Sequence, residues 1–129
     1  MDVDIDQFIQ VNENFGREGG DKVLVEVPRR IKTLLGEMNI HSDVLRYGGD
    51  EFIIVFEEVE EADVRAIADK ILELFKAPIE FETRQIPITV SIGIVPIHVG
   101  GNAEVYIDQV NATMIKAKKM GRNTKAQLD

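Results

Sequence analysis

Carboxylate side chains are concentrated at two places where they could bind a hard cation. Asp50 and Glu51 follow two glycines and precede an apolar run in the stretch RYGGDEFIIVF, and Asp4 lies in a second acidic stretch, DVDID. Adjacent residues of an extended chain point to opposite faces, so Asp50 and Glu51 can serve different roles. If the two stretches lie side by side, Asp4 and Asp50 could share one ion, and carboxylate oxygens suit Mg²⁺.

Positive charge is concentrated near the C-terminus of a chain whose formal net charge is −8. No Asp or Glu occurs from Gln109 to Leu128, and this segment carries the basic residues Lys116, Lys118, Lys119, Arg122 and Lys125. The segment could bind a small anion, or it could be a solvated helix end that suits the helix dipole. A divalent cation and a basic segment together suggest a nucleoside triphosphate. The overall acidity disfavours a nucleic-acid polymer as partner.

The composition indicates a single globular domain, since the 129 residues are 44% hydrophobic and 29% charged. The chain has no cysteine, which excludes disulfides and thiol catalysis and is compatible with the cytoplasm, where we expect the protein. The most apolar stretch, IPITVSIGIVPIHV, is broken by two prolines, so no membrane span is predicted. The acidic start, MDVDID, is unlike a signal peptide.

Hydrophobic periodicity predicts an α/β domain with the order β, α, β, β, α, β, β, α. We expect strands over 3–5, 44–47, 52–56, 79–83 and 86–95, and helices over 21–38, 62–75 and 103–119. A helical turn over 7–13 leads into a Gly-rich loop, NFGREGGD. Pro28 should kink the first long helix, and Gly121 should cap the last one. The pattern favours an antiparallel or mixed sheet with helices on one face.

Each acidic or polar motif also has a purely structural interpretation. A Gly-Gly-Asp tip is usually only a turn. Asp2, Asp4 and Asp6 could form a solvated strand edge, with Asp6 as a helix N-cap. Asn12 and Asp21 could brace the Gly-rich loop. The residue types alone leave these interpretations open.

Four segments together resemble the GGDEF-domain diguanylate cyclases. The signature GGDEF spans Gly48 to Phe52 and follows an Arg-Tyr pair that also fits the family. DIDQFIQVNENFGREGGD resembles the family's D-x-D-x-F-K-x-I-N-D-x-x-G-H-x-x-G-D, TVSIGI resembles T-x-S-x-G, and AKKMGRN resembles A-K-x-x-G-R-N. The resemblance covers essentially the whole chain. It implies a palm-like α/β fold of the nucleotide-cyclase or ferredoxin type, with helices packed around the sheet.

The resemblance implies condensation of two GTP molecules into cyclic di-GMP and two pyrophosphates, with Mg²⁺ or Mn²⁺ as cofactor. Each protomer of a homodimer would present one GTP, whose 3′-hydroxyl attacks the α-phosphate of the other. Family members act in bacterial second-messenger signalling and usually carry an upstream sensory or receiver domain. The alternative is a catalytically silent GGDEF module that binds GTP or a protein partner. A hybrid cyclase making mixed dinucleotides is disfavoured, because adenine tolerance in this family goes with loss of the carboxylate at Asp21.

The same resemblance implies residue roles at the catalytic centre. Asp4 and Asp50, with the carbonyl of Ile5, would form the metal site. Glu51 would be the second acidic group, which assists metal binding or deprotonates the 3′-hydroxyl. Asp50 and Glu51 are thus the catalytic residues that we expect.

Substrate binding is assigned by the same comparison of motifs. Asn12 and Asp21 would read guanine, because a carboxylate accepts the two N–H donors that adenine lacks. Gly48 and Gly49 would let the hairpin tip approach the triphosphate.

The phosphate contacts follow from the remaining motifs. Lys118 and Arg122, one helical turn apart, would clamp the phosphates. Backbone N–H groups of Asp6, Gln7 and Phe8 would cradle them at the start of the helical turn.

The chain also departs from the family pattern. Ile9 stands where the family usually has Lys, and NIHS occupies the window of the inhibitory R-x-x-D motif, so we expect no product inhibition there. The opening D-x-L-T-x-L-x-N-R segment and its helix are absent from these 129 residues. We therefore expect residues 1–129 to be one GGDEF domain, truncated at its N-terminal end, and the truncation to lower stability or turnover.

Overall fold

The computed structural model describes residues 1–98 and 100–128, so the predicted boundary at residue 129 lies just outside them. The strands are β1 (Asp2–Ile5), β2 (Ser42–Arg46), β3 (Glu51–Phe56), β4 (Ile79–Phe81), β5 (Arg84–Ile86), β6 (Val90–Ile94) and β7 (Lys125–Gln127). The helices are α1 (Phe8–Glu37), α2 (Glu61–Leu74) and α3 (Ala103–Lys119). None of the helices within the described residues is long and apolar enough to cross a membrane.

The main sheet has five strands in the order β2-β3-β1-β6-β7. The short strand β1 is central, because it pairs antiparallel with β3 on one side and with β6 on the other. β7 adds to β6 in parallel, and β4 and β5 form a separate hairpin. The sheet is therefore mixed, and the α/β fold class predicted from the sequence is confirmed.

Helices cover both faces of the sheet, which corrects the prediction that they lie on one face. Val90 and Ile92 of β6 belong to the main core, together with apolar residues of α1 and α2. Gly93 directly follows Ile92 and faces the other way, since a Cβ added there would lie 3.2 Å from the Thr113 side chain of α3. Every residue of β6 is consequently buried.

The predicted Gly-rich loop is reduced to a kink at Gly16 between two helical segments, which are taken together here as α1. α1 runs from Phe8 to Glu37, and its one non-helical position is Gly16, at φ 74° and ψ 176°, rather than Pro28. Gly19 and Gly20 are buried inside this helix. A Cβ added at Gly19 would lie 2.5 Å from Phe15 Cβ, so this glycine permits close packing.

The C-terminal half also differs from its predicted strands. The strand expected over 86–95 is divided, because β5 pairs with β4 and β6 joins the main sheet. Pro87 lies between them and has no N–H to donate to a ladder. β7, which follows α3, was not predicted.

Candidate active site

The first strand lies beside the glycine-containing hairpin, as the metal-site hypothesis requires. Asp4 is the register partner of Glu51 in the β1–β3 pair. The Ile5 N–H donates to the Asp50 carbonyl at 3.1 Å. Asp50 is close enough to Asp4 to raise the pKa of the Asp4 carboxyl. Residues almost fifty positions apart in sequence therefore meet at one end of the central strand.

The hairpin tip is braced by its own residues. The Arg46 guanidinium donates to the Gly49 carbonyl from Nη2 at 2.8 Å and from Nε at 3.2 Å. The Tyr47 N–H donates to the Glu51 carbonyl at 2.8 Å, and Gly48 has φ 83°, a conformation that favours glycine. The tip is thus a closed turn that holds Asp50 and Glu51 at the start of β3.

Asp4 is a buried carboxylate with one oxygen paired and one unpaired. Its Oδ2 forms a salt bridge with Lys118 Nζ at 2.6 Å, and its Oδ1 is buried without a hydrogen-bond partner. Burial raises the pKa of Asp4, and the contact with Lys118 opposes that shift. The same contact raises the pKa of Lys118. A further donor or a cation at Oδ1 would satisfy this oxygen.

Asp2 is a second buried carboxylate on β1, and it is not among the site residues predicted from the sequence. It is 1% exposed, and neither of its oxygens has a hydrogen-bond partner. Burial raises the pKa of Asp2 to about 8, and interaction with Glu51 acts in the same direction. The alternative of a solvated strand edge is therefore wrong, because β1 is central and its acidic side chains are buried. The burial of Asp2 would have been expected if β1 had been recognised as the central strand of the sheet.

Asp6 connects three of the sequence motifs. Thr89 Oγ1 donates to Asp6 Oδ2 at 2.7 Å, and Ser91 Oγ donates to Oδ1 at 2.6 Å. The Asn123 N–H also donates to Oδ2, at 3.0 Å. The acidic stretch, the T-x-S-x-G strand and the G-R-N ending are thus tied together by one carboxylate.

Two expectations for Asp6 are corrected by these contacts. It is not a helix N-cap, because α1 begins after Gln7, which has φ 53° and no side-chain cap. Its N–H donates to the Thr89 carbonyl at 2.9 Å, so this group is engaged within the sheet rather than directed at a phosphate. Of the three N–H groups predicted to bind phosphate, those of Gln7 and Phe8 are still candidates.

The end of α3 positions the basic residues. Gly121 has φ 108°, its N–H donates to the Lys118 carbonyl at 3.2 Å, and the Arg122 N–H donates to the Ala117 carbonyl at 3.2 Å. This is a Schellman motif, and it confirms Gly121 as the cap. Arg122 lies beyond the helix at φ 62° and is exposed, so Lys118 and Arg122 are not on successive turns of one helix as predicted.

The rest of the basic segment points in several directions. Lys125 pairs with Asp69 of α2, and Lys116 Nζ donates to the Gln127 carbonyl at 3.4 Å. Among these basic residues, Lys118 contacts Asp4. Asp4 and Asp50 at the end of β1 are called the acidic centre below. The segment as a whole is therefore not one anion site.

The side chain of Asn12 lies against Gly20, the residue that precedes Asp21. A Cβ added at Gly20 would lie 1.9 Å from Asn12 Oδ1 and 3.3 Å from Phe8 Cζ. Gly20 immediately precedes Asp21, and the side chains of Asn12 and Asp21 are both exposed. The Asn12 side chain thus packs against Gly20, a close approach that the residue types did not indicate, and the next residue along α1 is Asp21.

The acidic centre offers few protein ligands to a metal. No group of three or more His, Asp or Glu side chains with metal-binding geometry occurs in residues 1–98 and 100–128. The unpaired Asp4 Oδ1 and the nearby Asp50 instead fit a metal site with only one or two protein carboxylates. Mg²⁺ is commonly bound by one or two carboxylates, with waters and substrate phosphates completing the shell.

The chain is similar to known proteins over nearly its whole length. The family model described as "Diguanylate cyclase, GGDEF domain" matches residues 1–124. The bifunctional diguanylate cyclase/cyclic di-GMP phosphodiesterase MucR of Pseudomonas aeruginosa is 33% identical over 94% of this chain and 17% of that protein. The probable diguanylate cyclase DgcF of Escherichia coli K12 is 34% identical, over 95% of this chain and 40% of that protein. The chain thus spans less than half the length of these relatives.

A solved structure shows the same fold. The GGDEF domain of TpbB (YfiN) from Pseudomonas aeruginosa superposes with a TM-score of 0.87 at 28% identity, and the match covers 99% of this chain and 74% of that one. Members of the family generally use a divalent metal. On the match over residues 1–124, the chain belongs to the GGDEF-domain family of diguanylate cyclases.

Proposed function

We propose that this domain is a diguanylate cyclase, which condenses two GTP molecules into cyclic di-GMP and two pyrophosphates. The observation that carries the proposal is the meeting of Asp4, Asp50 and Lys118 at one end of the central strand. Two carboxylates beside one ammonium group provide contacts for both a cation and a polyphosphate. Since GTP is a cytoplasmic metabolite, the same proposal places the domain in the cytoplasm.

Asp4, Asp50 and the Ile5 carbonyl would hold Mg²⁺ or Mn²⁺. Such an ion, when bound, neutralises phosphate charge and polarises the reacting phosphoryl group. The unpaired Asp4 Oδ1 supports this assignment, since a buried carboxylate oxygen without a partner is uncommon in proteins.

Asn12 and Asp21 would select guanine. The assignment is supported by Gly20, which leaves room for the Asn12 amide one residue before Asp21. The Asp21 carboxylate can accept two N–H groups from the edge of guanine. Adenine in the same place would leave that carboxylate unpaired, which gives strong discrimination.

Glu51 would act on the attacking 3′-hydroxyl. It begins β3, is half-buried and lies opposite Asp4 across the strand pair. A carboxylate fixed on a strand can accept the hydroxyl proton or orient the hydroxyl for attack. The second GTP would be supplied by a partner protomer, so a homodimer provides the proximity and alignment of the two substrates.

The phosphates would be bound by groups around the tip. Lys118 is already at the acidic centre, and Arg122 extends from the loop after α3. Gly48 and Gly49 at the exposed tip leave space for the triphosphate. In a longer protein, an upstream sensory or receiver domain would control how two such domains meet.

The alternative function is a silent module that binds GTP or a protein partner without catalysis. The specific observation in its favour is Ile9, which is 74% exposed on the first turn of α1 where the family usually has a lysine. Loss of that cation weakens the binding of phosphates beside this turn.

The deciding experiment is incubation of the purified chain with GTP and Mg²⁺, with cyclic di-GMP detected by mass spectrometry. Product that disappears in Glu51→Gln, and persists in the matched exposed variant Glu57→Gln, would support the cyclase. GTP binding without product would favour the silent module. Neither binding nor product would contradict both functions.

A further inference from the structure

Lys118 and a divalent cation would contact the same carboxylate. Lys118 Nζ lies 2.6 Å from Asp4 Oδ2, while the side chain of Asp4 is 11% exposed. A contact this short between charged groups is a strong, charge-assisted hydrogen bond. The negative charge of Asp50 also raises the pKa of Lys118, so Lys118 interacts electrostatically with both carboxylates of the proposed metal site.

A metal ion on Asp4 would place two cations close together. Charges a few ångströms apart repel strongly when they are partly buried. The Lys118 side chain is 40% exposed, and it reaches the centre from the last turns of α3, so its flexible end can move away without a shift of the helix. A triphosphate offers that ammonium group new anionic oxygens nearby.

We propose that Lys118 makes metal binding depend on the nucleotide: it neutralises Asp4 until a triphosphate draws its ammonium group away, and only then does the metal bind tightly. This inference rests on the proposed metal site. It assigns Lys118 a positioning role on Asp4 in addition to its contact with phosphate. The metal therefore binds together with the nucleotide rather than before it.

The first test measures the affinity for Mn²⁺ alone, by electron paramagnetic resonance of the free ion. Lys118→Met should bind Mn²⁺ roughly tenfold more tightly than the wild type, the change expected for removal of one charged hydrogen bond. Lys119→Met, which removes the neighbouring exposed charge, should leave the affinity within about twofold. Equal or weaker binding in Lys118→Met would overturn the proposal.

Nucleotide linkage provides a second readout. With 3′-deoxy-GTP, which lacks the attacking hydroxyl, the wild type should gain Mn²⁺ affinity by a larger factor than Lys118→Met does. The same gain in both proteins would contradict the coupling.

A third measurement uses the wild-type protein and therefore does not depend on the folding of Lys118→Met. In the wild type without nucleotide, addition of saturating Mn²⁺ should make acetylation of Lys118, followed by mass spectrometry, several-fold faster, because the metal displaces the ammonium group from Asp4. Lys119 should not change. An unchanged Lys118 rate would refute the displacement.

The Asp4→Asn variant separates this inference from the proposed function. If Asp4→Asn leaves Mn²⁺ binding intact, the metal site itself is wrong. If Asp4→Asn abolishes Mn²⁺ binding while Lys118→Met behaves as the wild type does, the metal site stands and the role of Lys118 alone fails.

Discussion

Replacement of Asp2 by Asn should stabilise the domain, increasingly so as the pH rises. The pKa of Asp2 in the folded protein is about 8, against an ordinary value of 3.8. Between these two values the unfolded chain has released the proton while the folded protein keeps it. The folded state then binds more protons, so stability falls as pH increases through this window.

The magnitude follows from the size of the pKa shift. Each pH unit inside the window costs about 1.4 kcal/mol, so the Asp2 contribution falls by about 4 kcal/mol between pH 5 and pH 8. Asn cannot ionise, and the cost of burying its amide does not depend on pH. The free energy of unfolding of Asp2→Asn relative to the wild type should therefore rise by a few kcal/mol over that range.

Urea denaturation of both proteins at several pH values measures this difference. The Met1 amino group, whose pKa burial lowers to about 6, adds an opposite slope in both proteins, and it largely cancels in the comparison. Asp43→Asn, on the exposed side of β2, is the matched control and should show no pH-dependent gain. A stability difference between Asp2→Asn and wild type that stays constant from pH 5 to pH 8 would show that Asp2 is not buried in its protonated form.

Three further changes test the nucleotide site and its support. Asp21→Ser should relax the preference for GTP over ATP in a competition assay, because the carboxylate that pairs with guanine is lost; unchanged selectivity would reject the assignment. Gly20→Ala should lower GTP affinity about tenfold or more in a binding titration, since its methyl group would lie 1.9 Å from Asn12 Oδ1; wild-type affinity would show that the position of Asn12 is unimportant. Ser91→Ala should lower the free energy of unfolding by about 1–3 kcal/mol, because Asp6 loses a buried hydrogen bond at 2.6 Å; denaturation that matches the wild type would contradict that role.

The sequence predicted the features that depend on local residue chemistry. The hairpin between β2 and β3 was recognisable because two glycines interrupt two apolar runs. The cap at Gly121 and the span of α3 follow from helix periodicity and a terminal glycine. The side-by-side arrangement of Asp4 and Asp50 was expected, and the pairing of β1 with β3 provides it.

The features that sequence reasoning missed depend on partners distant in the chain. Gly19 and Gly20 resemble loop residues until the packing of Phe15 and Asn12 against them is known. The burial of Asp2 follows from strand order, because β1 has neighbours on both sides. The role of Asp6 was left open, with a helix cap as one interpretation, because its donors, among them Ser91, lie more than eighty residues away.

The most direct test of the central claim is the rate of cyclic di-GMP formation in Asp4→Asn. The side chain keeps its shape but loses the charge that faces Lys118 and Asp50. We expect a fall of about 100-fold or more relative to the wild type, with Asp43→Asn unchanged. A rate for Asp4→Asn equal to that of the wild type would show that the end of β1 is not the catalytic centre.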